Sequence, residues 1–331
     1  MIPLHDYQKT AIEYGTNNNL FLGDDAGMGK TRQACGAIKG VLDKHDSMLT
    51  RPILIITRKK IFDNWLKELD LWLGDYHLIL LDDVDKVRQF ASVSGKMYKS
   101  TAWPEKTIVL IYHEAVRHLI VKTCLKVWGI IVLDEAHKVK NPKAHITKSF
   151  VKLKAYRLIA MTATKMDKSP LDMYVVLNWL YPRLLGTRTE FKNEYVDIIY
   201  FNGFPKIIGG KNLNKLASLI APFTLSREKK DVLKDFPSLK FTIVDIELKD
   251  KQLEAYIELK KSKSLTVQLE SEVIYLPNVL AQMVKAQQLV TDPNLLGLDI
   301  ESAKLDWVYK WIEDHKDSSF IILANRSSKL P

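Results

Sequence analysis

Two stretches of this sequence place residues able to handle a polyphosphate directly after apolar runs. Residues 19–31 read Asn-Leu-Phe-Leu-Gly-Asp-Asp-Ala-Gly-Met-Gly-Lys-Thr, an apolar run, a glycine-containing loop and the start of a helical pattern. Gly27 and Gly29 let successive backbone N–H groups curl around phosphates without a Cβ in the way. The helix that follows turns its positive end toward the same anion. From that position Lys30 can reach β and γ phosphates, and the Thr31 hydroxyl can hold Mg²⁺. The strict loop spacing asks for glycine five residues before Gly29, and this chain has Asp24 there. A chance turn explains Gly-x-Gly, but it does not readily explain Gly-Lys-Thr after an apolar strand.

The second stretch, 130–137, reads Ile-Ile-Val-Leu-Asp-Glu-Ala-His. Two carboxylates emerge at the end of an apolar strand, where open α/β sheets place their ligands. Asp134 is suited to holding magnesium, directly or through water, and Glu135 to orienting and deprotonating an attacking water. Alone, such a pair could simply cap the next helix; Lys30 upstream makes the chemical reading the better one. His137 lacks the partners at helical spacing that a zinc site needs. A relay from the nucleotide site to a neighbouring lobe and a plain structural hydrogen bond both remain open for it.

Placing these groups on one edge needs a sheet. Apolar β-branched runs at 19–22, 53–57, 77–81, 107–111, 129–133 and 157–162 predict strands. Helical patterns at 30–42, 61–70, 113–122 and 144–153 separate several of them. Strands that do not alternate in polarity are expected when helices cover both sheet faces. The order predicts an α/β fold with a doubly wound parallel sheet. From 171 to 240 aromatics are frequent, and Gly203, Pro205, Gly209 and Gly210 interrupt any long element. Helices are expected at 212–221, 227–234, 251–261, 279–290 and 304–315, and strands at 241–248 and 320–324.

The formal net charge of +10 admits either a solvated lysine-rich surface or a polyanionic partner. Arg58, Lys59 and Lys60 follow the second strand, and 134–168 holds nine Lys or Arg against three acids, among them Lys138, Lys140 and Lys143. Both stretches fall on the carboxyl side of the inferred sheet, which favours a phosphate track over a solvated face. No base-reading helix, zinc finger or aromatic stacking sheet is evident, so binding should be sequence-independent. Cys35 and Cys124 lie far apart among apolar residues and read as buried reduced thiols. The first ten residues carry no secretory pattern, and runs such as 53–56 and 130–133 are too short to cross a bilayer. A non-secreted cytoplasmic or nuclear chain is expected.

Read in order, these segments resemble the SNF2-like branch of the superfamily 2 helicases, over nearly the whole chain. Residues 4–8, Leu-His-Asp-Tyr-Gln, look like the adenine-reading opening, which implies that Gln8 bonds the base edge and Tyr7 packs nearby. The segment 23–31 resembles the family's Asp-Glu-Met-Gly-Leu-Gly-Lys-Thr, which also carries an acid in the slot of Asp24. Residues 52–68 match the next motif, with Asn64, Trp65 and Glu68; 107–114 resembles the following strand and turn, with His113 where tyrosine is usual. Residues 134–141 resemble Asp-Glu-Gly-His followed by Lys-Asn, with Ala136 for the glycine, and 158–164 matches the coupling motif that holds Thr162 and Thr164. Residues 222–237 resemble a basic linker particular to this branch, with Ser226 in place of the first arginine of a pair, leaving Arg227.

The resemblance implies a RecA-like, P-loop NTPase lobe over 1–170, a mostly helical extension and linker over 171–300, and the start of a second RecA-like lobe over 301–331. It implies ATP and Mg²⁺ as ligands and double-stranded DNA as partner. The arginines that reach across the cleft belong to a second lobe and are not found before Pro331. The expectation is therefore a translocase or remodeller motor lobe, weak in hydrolysis without that partner. An RNA- or DNA-unwinding helicase core and a noncatalytic nucleotide- and protein-binding domain stand as alternatives.

Overall fold

The structure, a computed structural model, describes residues 3–97, 103–119, 128–164, 169–201, 203–232, 240–262, 266–269 and 272–323. It divides into two compact units, Met1–Pro237 and Ser238–Pro331.

In the first unit, α1 (Asp6–Asn17) leads into β1 (Leu20–Leu22) and α2 (Lys30–Lys44), then β2 (Ile53–Thr57), α3 (Phe62–Leu73), β3 (His77–Leu81) and α4 (Val84–Met97). There follow β4 (Thr107–Tyr112), α5 (Val116–Leu119), β5 (Trp128–Leu133), α6 (His145–Phe150) and β6 (Ala155–Met161). The unit continues through α7 (Leu171–Leu180), α8 (Arg188–Tyr195), β7 (Val196–Phe201), β8 (Phe204–Gly210), α9 (Leu213–Ile220), β9 (Thr224–Leu225) and α10 (Lys229–Val232).

Seven of these strands form one sheet in the order β3-β4-β2-β5-β6-β1-β9, and every pairing in it is parallel. Strands β2 and β5 are buried along their whole length, as their unbroken apolar runs require. Alternate residues serve opposite faces. Ile53, Ile55, Ile130 and Val132 pack with Ala34 and Ile38 of α2 and Trp65 and Leu69 of α3. Leu54, Ile56, Ile131 and Leu133 pack with Val116 and Leu119 of α5, Phe150 of α6 and Leu177 of α7. The expected doubly wound α/β sheet is therefore present, with strand ends moved by one or two residues.

Several expectations need correction. Residues 113–119 form a 3-10 turn (His113–Ala115) followed by α5, and 120–122 lie outside the described residues, as does Cys124. The glycines of 203–210 do not break up structure: β7 and β8 pair as an antiparallel hairpin, with Gly203 at φ 79° in the turn. Cys35 is buried as expected, and burial pushes its thiol pKa well up.

The second unit holds α11 (Asp250–Lys261), β10 (Thr266–Leu269), β11 (Glu272–Tyr275), α12 (Val279–Thr291) and α13 (Ala303–Asp314). Strands β10 and β11 form an antiparallel pair. Leu259, Leu269, Ile274, Leu289 and Leu298 make a separate core. Gln252, fully buried, ties it together: Nε2 donates to Leu289 O at 2.9 Å, and Oε1 accepts from Ala303 N at 3.2 Å. The strands expected at 241–248 and 320–324 are not formed among the described residues. Their apolar side chains have no sheet to bury against: Ile243 is 90% exposed and Leu323 92%. A period-2 pattern makes a strand only where another strand accepts its backbone bonds.

Candidate nucleotide site

Five loops meet at the carboxyl edge of the sheet, following β1, β2, β5, β6 and β9. The loop after β1 turns on Gly27 at φ 79° and Gly29 at φ 71°, the left-handed region that costs glycine little. Gly29 immediately precedes α2, and a Cβ there would lie 2.6 Å from Gln8 Nε2. Lys30 Nζ donates to the carbonyls of Asp24 and Asp25, both at 2.8 Å, so the ammonium lies within the loop's curl. Burial lowers the Lys30 pKa, against the opposing charges of Asp24, Glu135, Asp134 and Asp25. Thr31, half-buried, follows it in the first turn of α2.

The opening segment is pinned to this loop. Tyr7 Oη and Gln8 Nε2 both donate to Met28 O, at 3.1 and 3.2 Å, and Gln8 Oε1 accepts from His5 N at 3.1 Å. Gln8 is nearly buried, and both ends of its amide are engaged within the protein.

At the end of β5, three donors fix the Asp134 carboxylate. Thr57 Oγ1 (2.7 Å) and Trp65 Nε1 (3.2 Å) donate to Oδ2, and Glu135 N (2.8 Å) donates to Oδ1. Oδ1, with a single donor, keeps a lone pair for a hard cation, and the Thr31 hydroxyl is a second oxygen of the kind magnesium takes. The donor set fits Mg²⁺. His113, fully buried, lies beneath this turn with Nε2 2.7 Å from Asp134 O. Burial lowers its pKa, so the ring is neutral and Nε2 carries the proton.

Glu135 takes the left-handed backbone at φ 49°, uncommon for a side-chain-bearing residue and often found where a side chain must be re-aimed. Its Oε1 lies 3.5 Å from Arg58 Nη2, and its Oε2 lies 3.3 Å from His137 Nδ1. His137 Nδ1 is also 3.2 Å from Thr162 Oγ1, which in turn accepts from Thr164 N at 3.1 Å. The ends of β2, β5 and β6 are thus joined through Arg58, Glu135, His137, Thr162 and Thr164. Lys59 and Lys60 are exposed beside Arg58; Lys138 is exposed, 3.6 Å from Glu114, and Lys140 is partly covered.

Residues 7–295 match the family model described as the SNF2-related domain. The chain belongs to this family. Among relatives, the DNA repair and recombination protein RAD26 of Saccharomyces cerevisiae is 26% identical over 354 residues, covering 92% of this chain and 32% of its own length. SWI/SNF-related matrix-associated actin-dependent regulator of chromatin subfamily A member 1 of Homo sapiens is 27% identical over 292 residues, 86% of this chain and 26% of its own length. This chain therefore spans at most about a third of the length of those two relatives. Among solved structures, the Sulfolobus solfataricus SWI2/SNF2 ATPase core domain superposes with a TM-score of 0.51 at 25% identity, over 96% of this chain and 64% of that one. The same core in complex with dsDNA gives 0.53 at 23% identity, over 95% and 65%. The fold of this SNF2-related chain is that of an SWI2/SNF2 ATPase core, and its sheet is RecA-like.

The SNF2-related site also contains a pairing that the sequence did not predict. Asp24, fully buried in the slot where a strict loop has glycine, is clasped by Arg227: Nε donates to Oδ1 at 2.9 Å and Nη2 to Oδ2 at 2.6 Å. Gln33 Nε2 adds a bond to Oδ2 at 3.2 Å, and Arg227 Nη1 donates to Tyr7 O. The ionic contact comes from the one arginine left beside Ser226. Strand β9 carries Arg227 there by pairing with β1, and Gly23 N donates to Leu225 O at 2.7 Å. The available signal was an acid in a glycine slot together with an isolated arginine in a basic segment. Thr57 and Gln33 left no such signal, because one hydroxyl or amide looks like another in an apolar context, and Trp65 stood out only as a motif residue, not as a donor to Asp134.

Proposed function

We propose that this chain is the ATP-binding motor lobe of an ATP-dependent translocase or remodeller acting on double-stranded DNA, without sequence preference. What supports the reading is one arrangement: the glycine loop, the acidic pair and the basic stretch 58–60 share the carboxyl edge of a single sheet. Gly27, Gly29, Lys30 and Thr31 bind the phosphates of ATP, with Tyr7 and Gln8 behind the loop toward the base. Thr31 and Asp134 hold Mg²⁺, which supplies charge compensation to the phosphates. Glu135 accepts the proton of the attacking water. His137, Thr162 and Thr164 carry the state of that site to the polyanion face, where Arg58, Lys59, Lys60, Lys138 and Lys140 meet phosphodiesters. Duplex DNA is preferred to RNA because a related core is described in complex with dsDNA.

Replacing Arg58, Lys59 and Lys60 together with alanine is expected to weaken binding equally for unrelated duplexes. The slope of log affinity against log salt should fall by roughly one for each phosphate no longer neutralised. Fluorescence anisotropy across a salt series measures both, and an unchanged affinity and slope would sink the DNA assignment.

Turnover by the 331-residue chain alone should be slow. Among the described residues, Ser238–Pro331 contains helices and one antiparallel strand pair, and no second parallel sheet that could present arginines to ATP. Such arginines contribute on the order of 10³–10⁵ to phosphoryl transfer. Fast DNA-stimulated phosphate release that vanishes in Glu135→Gln would show that the site is completed by other means.

A further inference from the structure

Arg58 has two partners that it cannot serve at once. It stands among the basic residues assigned to the polyanion, yet its Nη2 lies 3.5 Å from Oε1 of Glu135, the residue assigned to the attacking water. Its side chain is about half exposed, whereas that of Glu135 is 28% exposed, so the guanidinium is open to solvent while the carboxylate is more enclosed. The other Glu135 oxygen faces His137, whose pKa burial lowers against the pull of Glu135, so Arg58 is the permanent cation in direct ion pairing with this carboxylate, with Lys30 acting on it from farther off. The remaining charges at this corner are Lys30 and Asp134 on the nucleotide side, and Lys59, Lys60, Lys138 and Lys140, with Glu114 opposite Lys138.

We propose that Arg58 couples nucleic-acid binding to the catalytic carboxylate by exchanging partners. Without a polyanion the guanidinium holds Glu135 in an ion pair. A DNA phosphodiester seated on 58–60 offers the guanidinium two oxygens in a fork-matched geometry, stronger than its single 3.5 Å approach to Oε1. As Arg58 turns to the phosphate, Glu135 is freed from a cation that stabilises its charge and restrains its side chain. Its carboxylate is then free to turn to the attacking water, and His137 remains to orient it. Arg58 is on this account a positioning residue, acting through Glu135 and touching no reacting atom. The inference rests on the proposed DNA-binding function of the basic stretch.

Competition for one guanidinium must be reciprocal: what loosens Glu135 must tighten DNA. The test is a double-mutant cycle on duplex affinity, which needs no turnover. Anisotropy titrations of a fluorescent duplex would compare the unaltered chain, Glu135→Gln, Arg58→Ala and the double variant, without nucleotide. Glu135→Gln is nearly isosteric and removes the competing charge, so duplex affinity should rise about five-fold or more, the lower range of coupling between linked sites. In the Arg58→Ala background the same change should leave affinity unaltered. Arg58→Lys, which keeps the charge without the fork, should retain DNA binding and show a smaller response. If Glu135→Gln raises affinity equally in both backgrounds, the effect is general electrostatics and the partner exchange is wrong. No change in either background is equally fatal. If the unaltered chain shows no salt-dependent duplex affinity, the DNA reading itself fails, and this inference with it.

Discussion

Arg227→Ala is expected to cost the first unit about 3–5 kcal/mol of stability, the range for removing one partner of a buried ion pair. Asp24 has no exposed side-chain surface, and Arg227 supplies most of its bonding, from both the guanidinium and the backbone N–H. Truncation leaves a buried carboxylate with Gln33 as its remaining side-chain donor. In a unit of this size the destabilisation corresponds to a drop in Tm of roughly 10 °C. Arg227→Lys should fall between, since an ammonium keeps the charge but cannot span Asp24, Gln33 and Tyr7 together. Chemical unfolding followed by circular dichroism decides the matter. A change below about 1 kcal/mol in Arg227→Ala would mean that the clasp is a surface pairing of the kind worth little.

Lys30→Ala should weaken magnesium-nucleotide binding roughly 10- to 100-fold, because charge-assisted hydrogen bonds to phosphate are each worth about 1.5–3 kcal/mol. The side chain is positioned for this before any ligand arrives, held by the Asp24 and Asp25 carbonyls at the head of α2. Exchanging two neutral acceptors for an anion is favourable for an ammonium that burial already disfavours. Glu135→Gln should leave nucleotide affinity within about two-fold while suppressing any hydrolysis, since it keeps shape and removes the proton acceptor. Isothermal titration with ATP and ADP separates the two variants. Equal affinities for the unaltered and Lys30→Ala chains would refute the phosphate-loop assignment.

How much of the fold is legible in the sequence follows from the range of the forces involved. Strands β2, β4 and β5 announce themselves because burial on both faces demands unbroken apolar runs, and the glycine loop because its backbone geometry admits few residues. The acidic pair was legible by its place at a strand end. The Asp24–Arg227 clasp was legible only in its halves, an acid in a glycine slot and a lone arginine in a basic segment; their pairing was not, because they are 203 residues apart. Strand β9 is two residues long and leaves no periodicity. The β7–β8 hairpin hid for the opposite reason: Tyr200, Phe201 and Phe204 are largely exposed, so burial imposes no alternation. Its Asn202-Gly203 pair was the better signal, since that dipeptide favours hairpin turns. At 241–248 alternation was present without a neighbouring strand, and no strand formed.

The same long reach has a consequence in time. Strand β1 is synthesised well before both of its sheet neighbours, β6 and β9. Translation proceeds at about 5–20 residues per second, so roughly 10–40 s separate the emergence of Asp24 from that of the arginine 203 residues downstream that neutralises it. Until β6 is made both edges of β1 lack partners, and until β9 follows one edge stays open and a carboxylate destined for burial must stay hydrated. The phosphate loop is therefore among the earliest parts of this unit to be made and among the last to be finished. A ribosome pausing between β6 and β9 would present a sheet with its nucleotide-binding edge still open, the state in which such a chain is most exposed to mispairing and to chaperones.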